Sequence, residues 1–314
     1  MYRAMTLTFF MLLLSSQARA ESDESIRVFV LAGQSNMVGT GQIALDLKRN
    51  DGKGSLEWLV HEPSKAAQFK HLVDADQNWV VRDDVQIWFL DRKGGLTPGY
   101  GGGETTIGPE LGFGSVVGDA IDNPILLIKL AWGGKSLGRD FRPPSSGGEV
   151  GPYYKNLIET TRKVMNNGGK LFPQFAGKKL ELAGLGWHQG WNDRVNQKLN
   201  DEYQQNMANF IRDVRKEFNH PELPVVIAET GMSGHEEKHP RALSLMAAQA
   251  AVAEQKEFQG NVAFVGTRDF YRPPEVSPAR QAYHWNRNAE TYYLIGQGMG
   301  QAMLQLINGG RQIP

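Results

Sequence analysis

The chain has 314 residues, with 34 Lys and Arg balanced by 34 Asp and Glu, and it contains no cysteine. Zero net charge argues against nucleic acid or an anionic membrane surface as the main partner. Without cysteine the fold must rest on a hydrophobic core rather than on disulfides, and the length is enough for one large domain.

Residues 1–20 read as a signal peptide. Arg3 gives a positive start, Met5 to Leu14 an apolar stretch, and Ala18-Arg19-Ala20 a small-x-small cleavage site. That stretch is far below the ~20 residues of a membrane span. The mature chain is expected to begin at Glu21 and to be exported, secreted or periplasmic, with no membrane anchor.

Ile26–Ala32 is a continuous apolar, β-branched run, the pattern of a strand buried on both faces. It stops at Gly33-Gln34-Ser35-Asn36-Met37. Gly33 permits a turn that other residues resist. Ser35 then stands at the carboxyl end of the strand, the edge where open α/β sheets bind ligands. Two roles fit it: a nucleophile, or the N-cap of a following helix. Residues 40–108 break the pattern, with Trp58, Trp79 and Trp88, a hairpin near Val85–Leu90, and the glycine-rich stretches Gly94-Gly95 and Gly99 to Gly103. They read as an insertion over the active edge.

Further apolar runs follow at Ile125–Ala131, Leu180–Trp187, Val225–Glu229 and Val262–Gly266. Between the third and fourth strands, Leu199, Tyr203, Met207, Phe210, Ile211, Val214 and Phe218 recur at helical spacing. Helices are also expected over Arg241–Glu257 and Ala289–Ile307, the last closed by Gly309-Gly310. Strands alternating with helices give a parallel sheet with right-handed crossovers. The expected fold is α/β, a three-layer α/β/α arrangement on a central five-stranded parallel sheet, in the flavodoxin-like order 2-1-3-4-5. Residues 21–314 form a single domain in this reading.

Three loops follow the carboxyl ends of the first three strands: Gly33–Met37, Trp132-Gly133-Gly134-Lys135-Ser136, and Trp187-His188-Gln189-Gly190-Trp191-Asn192-Asp193. Tyr283-His284-Trp285-Asn286 precedes the last helix, and in this fold all four blocks meet at one crevice. A serine nucleophile needs a base. Of the seven histidines, His61, His71, His220, His235 and His239 lie in polar or loop contexts, which leaves His284 and His188. No spaced set of metal ligands is present, so neither metal nor cofactor is expected. The aromatic residues Trp132, Trp191, Trp285 and Tyr271 suit the faces of sugar rings, or else the core. Lys135 and Arg287 suit an acidic sugar, or the surface.

Together with Gly108-Pro109-Glu110-Leu111-Gly112-Phe113-Gly114, these blocks resemble the SGNH-hydrolase superfamily. Within it they are similar to carbohydrate acetylesterases of the sialate O-acetylesterase and acetylxylan esterase (carbohydrate esterase family 6-like) type. The resemblance runs from Val28 to the C-terminal helix. It implies a serine esterase with an acetylated carbohydrate as substrate, Ser35 as nucleophile and His284 as base. It also implies an oxyanion hole from the Ser35 N–H, a glycine N–H at Gly133 or Gly134, and the Gln189 amide. Many members carry Asp three residues before the histidine, where this chain has Gln281. Asp193 matches an acidic residue of the third block and is the candidate acid, with Asp269, another acid or a Ser–His dyad as alternatives. Asp193 also fits an N-cap or a group that fixes the Gln189 loop. Trp132, Trp191, Asn286 and Arg287 are the candidate substrate contacts. The other functional readings are a lipase- or arylesterase-like hydrolase and a noncatalytic glycan-binding module on the same fold.

Overall fold

A computed structural model describes residues 25–309; the expected signal peptide lies outside them. Nine strands form among the described residues: β1 (Ile26–Gly33), β2 (Gly41–Gln42), β3 (Val85–Phe89), β4 (Arg92–Gly95), β5 (Thr106–Ile107), β6 (Ile125–Ala131), β7 (Leu180–His188), β8 (Val225–Ala228) and β9 (Val262–Val265). Seven of them make one sheet in the order β4-β3-β6-β1-β7-β8-β9, and β2 pairs with β5 in a separate ribbon. The stretch β6-β1-β7-β8-β9 is parallel throughout and reproduces the expected 2-1-3-4-5 order.

The strand count differs from the expected five. The hairpin inside residues 40–108 does not simply cover the sheet. Its first strand pairs parallel to β6, and its second turns back antiparallel. The edge of β6 would otherwise present unpaired backbone groups, and β3 satisfies them.

Alternate residues of β1 feed two cores. Ile26, Val28, Val30 and Ala32 pack on one face with the helices Pro152–Asn166, Tyr203–Glu217 and Pro240–Ala253. Phe29 and Leu31 pack on the other with Pro109–Ala120 and Ala289–Ile307. The helix expected across Leu199–Phe218 is divided at Glu202 into Gln197–Asp201 and Tyr203–Glu217. The helix expected to reach Glu257 ends at Ala253.

The Gly-Pro-Glu-Leu-Gly-Phe-Gly block opens the helix Pro109–Ala120. A β-carbon at Gly112 would overlap the Tyr293 carbonyl oxygen, and one at Gly296 the Pro109 carbonyl oxygen. The two helices therefore touch backbone to backbone. None of the described helices is long and apolar enough to cross a membrane.

Candidate active site

Strand register sets the site. Gly33 pairs with Ala131 on one side and with His188 on the other, so the three strands end level. Parallel neighbours lie about 4.8 Å apart, which brings Ser35, Gly133 and Gln189 to one edge. Two backbone bonds continue the pairing into the loops: Trp132 N donates to Gly33 O at 3.3 Å, and Gln34 N to His188 O at 3.3 Å. At Gly33 a side chain is excluded, because a β-carbon would overlap the His188 carbonyl.

Ser35 opens a one-turn helix, Ser35–Val38, whose N-cap residue is Gln34. Ser35 is therefore not the cap. Its hydroxyl makes no hydrogen bond among the described residues and is partly exposed. Asn36 links this turn to the histidine loop. Its Nδ2 donates to the Tyr283 carbonyl at 3.1 Å, and its Oδ1 accepts from the Tyr292 hydroxyl at 2.9 Å. Tyr292 is also 3.3 Å from the His284 carbonyl. The residue after Ser35 thus grips the residue before His284.

After His284 the chain makes a left-handed turn, with φ of 51°, 54° and 58° at Trp285, Asn286 and Arg287. Each such residue costs roughly 1–2 kcal/mol. Burial of Trp285 and the bonds of Asn286 to the Arg272 carbonyl (3.0 Å) and Tyr271 hydroxyl (3.3 Å) hold it in place. Asn286 is fully buried, so it supports the turn and offers no surface to a substrate.

The two candidate bases differ in access. His188 is buried, its Nδ1 is 3.3 Å from the Ala228 carbonyl, and burial pushes it down to about 4. His284 is half-buried, and burial with the nearby Arg287 charge holds it below the ordinary imidazole value. No carboxylate bonds to His284 among the described residues. Asp269 pairs with His235 at 2.7 Å.

Asp193 is also committed elsewhere. It is buried and accepts from the Leu137 N–H (2.8 Å), the Gly138 N–H (2.8 Å) and Gln189 Nε2 (2.5 Å). Burial pushes it up to about 6, against the pull of those donors, which leaves it ionised at neutral pH. It ties the loop after β6 to the loop after β7; the expected bond to His284 is not made.

Gln189 likewise differs from the expected oxyanion donor. It is buried, and its amide N–H groups face Asp193, the Lys135 carbonyl (3.0 Å) and Gln34 Oε1 (3.2 Å). The side-chain amide left at the rim belongs to Asn192. Its Oδ1 accepts from Gln34 Nε2 at 3.3 Å, and its Nδ2 donates to the Gly134 carbonyl at 2.7 Å, with a second Nδ2 hydrogen uncommitted. Gly133 and Gly134 are exposed. The N–H groups of Ser35, Gly133 and Gly134 have no backbone acceptor among the described residues.

Gln34 and Asn192 escaped the sequence reading. Gln34 Oε1 takes N–H bonds from Gly190, Asn192 and Gln189, each at 3.2 Å. Its adjacency to Ser35 was the available signal.

Among the expected substrate contacts, Trp132 packs against Tyr153 and Phe141 at ring separations of 5.0 and 6.1 Å. Trp191 is half-buried, 5.8 Å from the exposed Tyr283 ring and under the Arg194 guanidinium. Arg287 is partly exposed beside His284.

Residues 25–305 match the family model described as "Carbohydrate esterase, sialic acid-specific acetylesterase". The chain belongs to this family. Among curated proteins, this esterase-family chain is 24% identical to "Probable carbohydrate esterase At4g34215" of Arabidopsis thaliana over 211 residues, which is 64% of this chain and 67% of that one. The crystal structure of the Arabidopsis protein AT4G34215 superposes with a TM-score of 0.59 at 17% identity, covering 90% of this chain and 98% of that one. XAC1771, a carbohydrate acetylesterase from Xanthomonas citri, gives 0.54 at 15% identity and covers 90% of this chain. This chain spans 56% of the length of XAC1771. The two structures support the fold, and the family model supports the carbohydrate esterase class.

Proposed function

We propose that this member of the family is an exported serine esterase that removes O-acetyl groups from a carbohydrate. The observation that carries the reading is Ser35, its hydroxyl uncommitted at a strand end, joined through Asn36 to the segment that holds His284.

In this mechanism Ser35 Oγ attacks the acetyl carbonyl carbon while His284 takes the hydroxyl proton. The tetrahedral oxyanion receives the N–H groups of Ser35 and of Gly133 or Gly134, with Asn192 Nδ2 as the side-chain donor. Collapse breaks the ester bond, and His284 returns the proton to the departing sugar oxygen. Water, deprotonated by His284, then attacks the acetyl-Ser35 ester; the acyl–Oγ bond breaks, His284 returns that proton to Ser35 Oγ, and acetate leaves. Asp193 and Gln34 are positioning residues for the two oxyanion loops, and no cofactor enters.

Export rests on the pattern of residues 1–20. The test of the mechanism is acetate release from an aryl acetate and from an acetylated polysaccharide. Wild type is expected to turn both over, and Ser35→Ala to lose nearly all activity. Equal turnover by the two proteins would exclude Ser35 as nucleophile. The imidazole of His284, which bonds to no carboxylate among the described residues, favours one competing reading, a glycan-binding module without catalysis. It predicts no labelling of Ser35 by a covalent serine-directed phosphonate.

A further inference from the structure

Away from Ser35, residues 40–108 build a cavity of about 340 Å³ that the reaction does not use. It falls within the range of about 300–1,000 Å³ typical of small-ligand sites. Trp58 and Trp79 line it, both half-buried against the core that carries the C-terminal helix. Neither indole N–H donates to any acceptor among the described residues, and neither is sealed from solvent. Glu57, His61, Glu62 and Gln77 complete the polar lining.

These groups keep hydrogen-bonding capacity in hand. Glu57 accepts from the Leu45 N–H through Oε2 at 2.7 Å, leaving Oε1 uncommitted. Glu62 uses Oε1 on Ser64, leaving Oε2. His61 Nδ1 faces the Glu57 carbonyl at 2.7 Å, so Nε2 is available.

The cavity is tied to the histidine loop. Ala289 N donates to Gly54 O at 2.8 Å, and Asn50 Nδ2 donates to the carbonyls of Pro274 (2.7 Å) and Ser277 (2.6 Å). The path from Trp58 to Gly54, across the hydrogen bond to Ala289 and back to His284 is nine residue steps and one bridge, so the two sites lie within roughly 40 Å.

Flat aromatic faces beside uncommitted carboxylate oxygens and indole N–H groups match one chemistry. The apolar face of a pyranose stacks on an indole while its hydroxyls meet acceptors and donors. Two carboxylates in the lining repel an anionic sugar, since none of the six groups is a lysine or an arginine.

We propose that this cavity is a second glycan subsite, which holds an unacetylated neutral pyranose of the same polysaccharide whose acetylated residue reaches Ser35. The proposal rests on the carbohydrate-esterase reading and narrows the sugar held in this cavity to a neutral pyranose rather than an anionic one.

The experiment uses Ser35→Ala protein titrated with xylohexaose and with sialyllactose, followed by tryptophan fluorescence and calorimetry. Trp58→Leu and Trp79→Leu keep apolar bulk while removing the flat face and the N–H. Xylohexaose should bind the parent, and each Leu variant should weaken it about tenfold or more. Sialyllactose should bind weakly, and Glu57→Gln with Glu62→Gln should improve it. In the Ser35 enzyme, the Leu variants should raise KM for acetylated xylan and leave aryl acetate turnover unchanged. Xylohexaose binding that is absent, or unmoved in both Leu variants with unchanged melting temperature, overturns the subsite. Tighter binding of sialyllactose than of xylohexaose does the same. Failure of the esterase reading appears separately, as absence of aryl acetate turnover in the wild type.

Discussion

Among the described residues no carboxylate bonds to His284 to stabilise its protonated form, and Gln281 stands where many relatives by resemblance carry Asp. Its backbone carbonyl already accepts from the His284 N–H at 2.8 Å, so the residue is close by. In serine proteases, replacing the triad carboxylate with an amide costs about 10⁴-fold in kcat. Gln281→Asp is therefore expected to raise kcat on an aryl acetate by about tenfold or more. Unchanged steady-state rates would show that the imidazole already has its acid. Asn192 is the second residue where geometry makes a choice. Asn192→Ala should lower kcat by roughly 10²–10³ with little change in KM, the usual cost of an oxyanion donor. An unchanged kcat sinks that assignment.

Two buried groups near the site have opposite linkage to pH. His188 falls from 6.5 to about 4 on folding, so the unfolded chain binds the extra proton, and stability is lost as pH falls from 6.5 toward 4. Asp193 rises from 3.8 to about 6, so the folded chain binds the extra proton, and its contribution grows as pH falls from 6 toward 3.8. Each amounts to about 3 kcal/mol at most, from about 1.36 kcal/mol per unit, so they largely cancel between pH 4 and 6. His188→Gln removes one side of the balance. Relative to wild type, its melting temperature should rise as pH is lowered from 6 to 4, and a flat difference would count against this pairing.

At the scale of elements, one buried cation joins three segments. Lys129 on β6 donates to Glu110 at 2.6 Å, to the Val38 carbonyl at 2.7 Å and to the Tyr100 carbonyl at 2.7 Å. Both charges of the pair are buried, and burial pushes the lysine down. Glu110 Oε1 also accepts from Gly108 N at 2.7 Å. The end of the Ser35 helix, the glycine-rich loop and the helix Pro109–Ala120 thus meet at one ammonium group. Lys129→Met leaves Glu110 buried without a countercharge and should cost about 3–5 kcal/mol in denaturant unfolding. Adding Glu110→Leu should recover much of that loss; no recovery would show that the three carbonyl and carboxylate contacts matter more than the stranded charge.

For the molecule as a whole, the sequence determined the order of the five central strands, the strand end that presents Ser35, and the blocks that meet there. These features are local: a continuous apolar run marks a two-face-buried strand, and alternation with helices forces parallel crossovers. The edge hairpin was visible as a hairpin, but not its pairing with β6, because pairing is a long-range choice. Only the tertiary structure decided which polar side chain serves which loop. Gln189 and Asn192 are both amides three residues apart, yet β7 ends so that one turns inward to Asp193 and the other stays at the rim. Asp193, four residues beyond Gln189, found two backbone N–H groups from the loop after β6 before it could meet His284. Composition and periodicity encode burial, whereas a hydrogen-bond partner depends on sub-ångström placement of segments far apart in the chain.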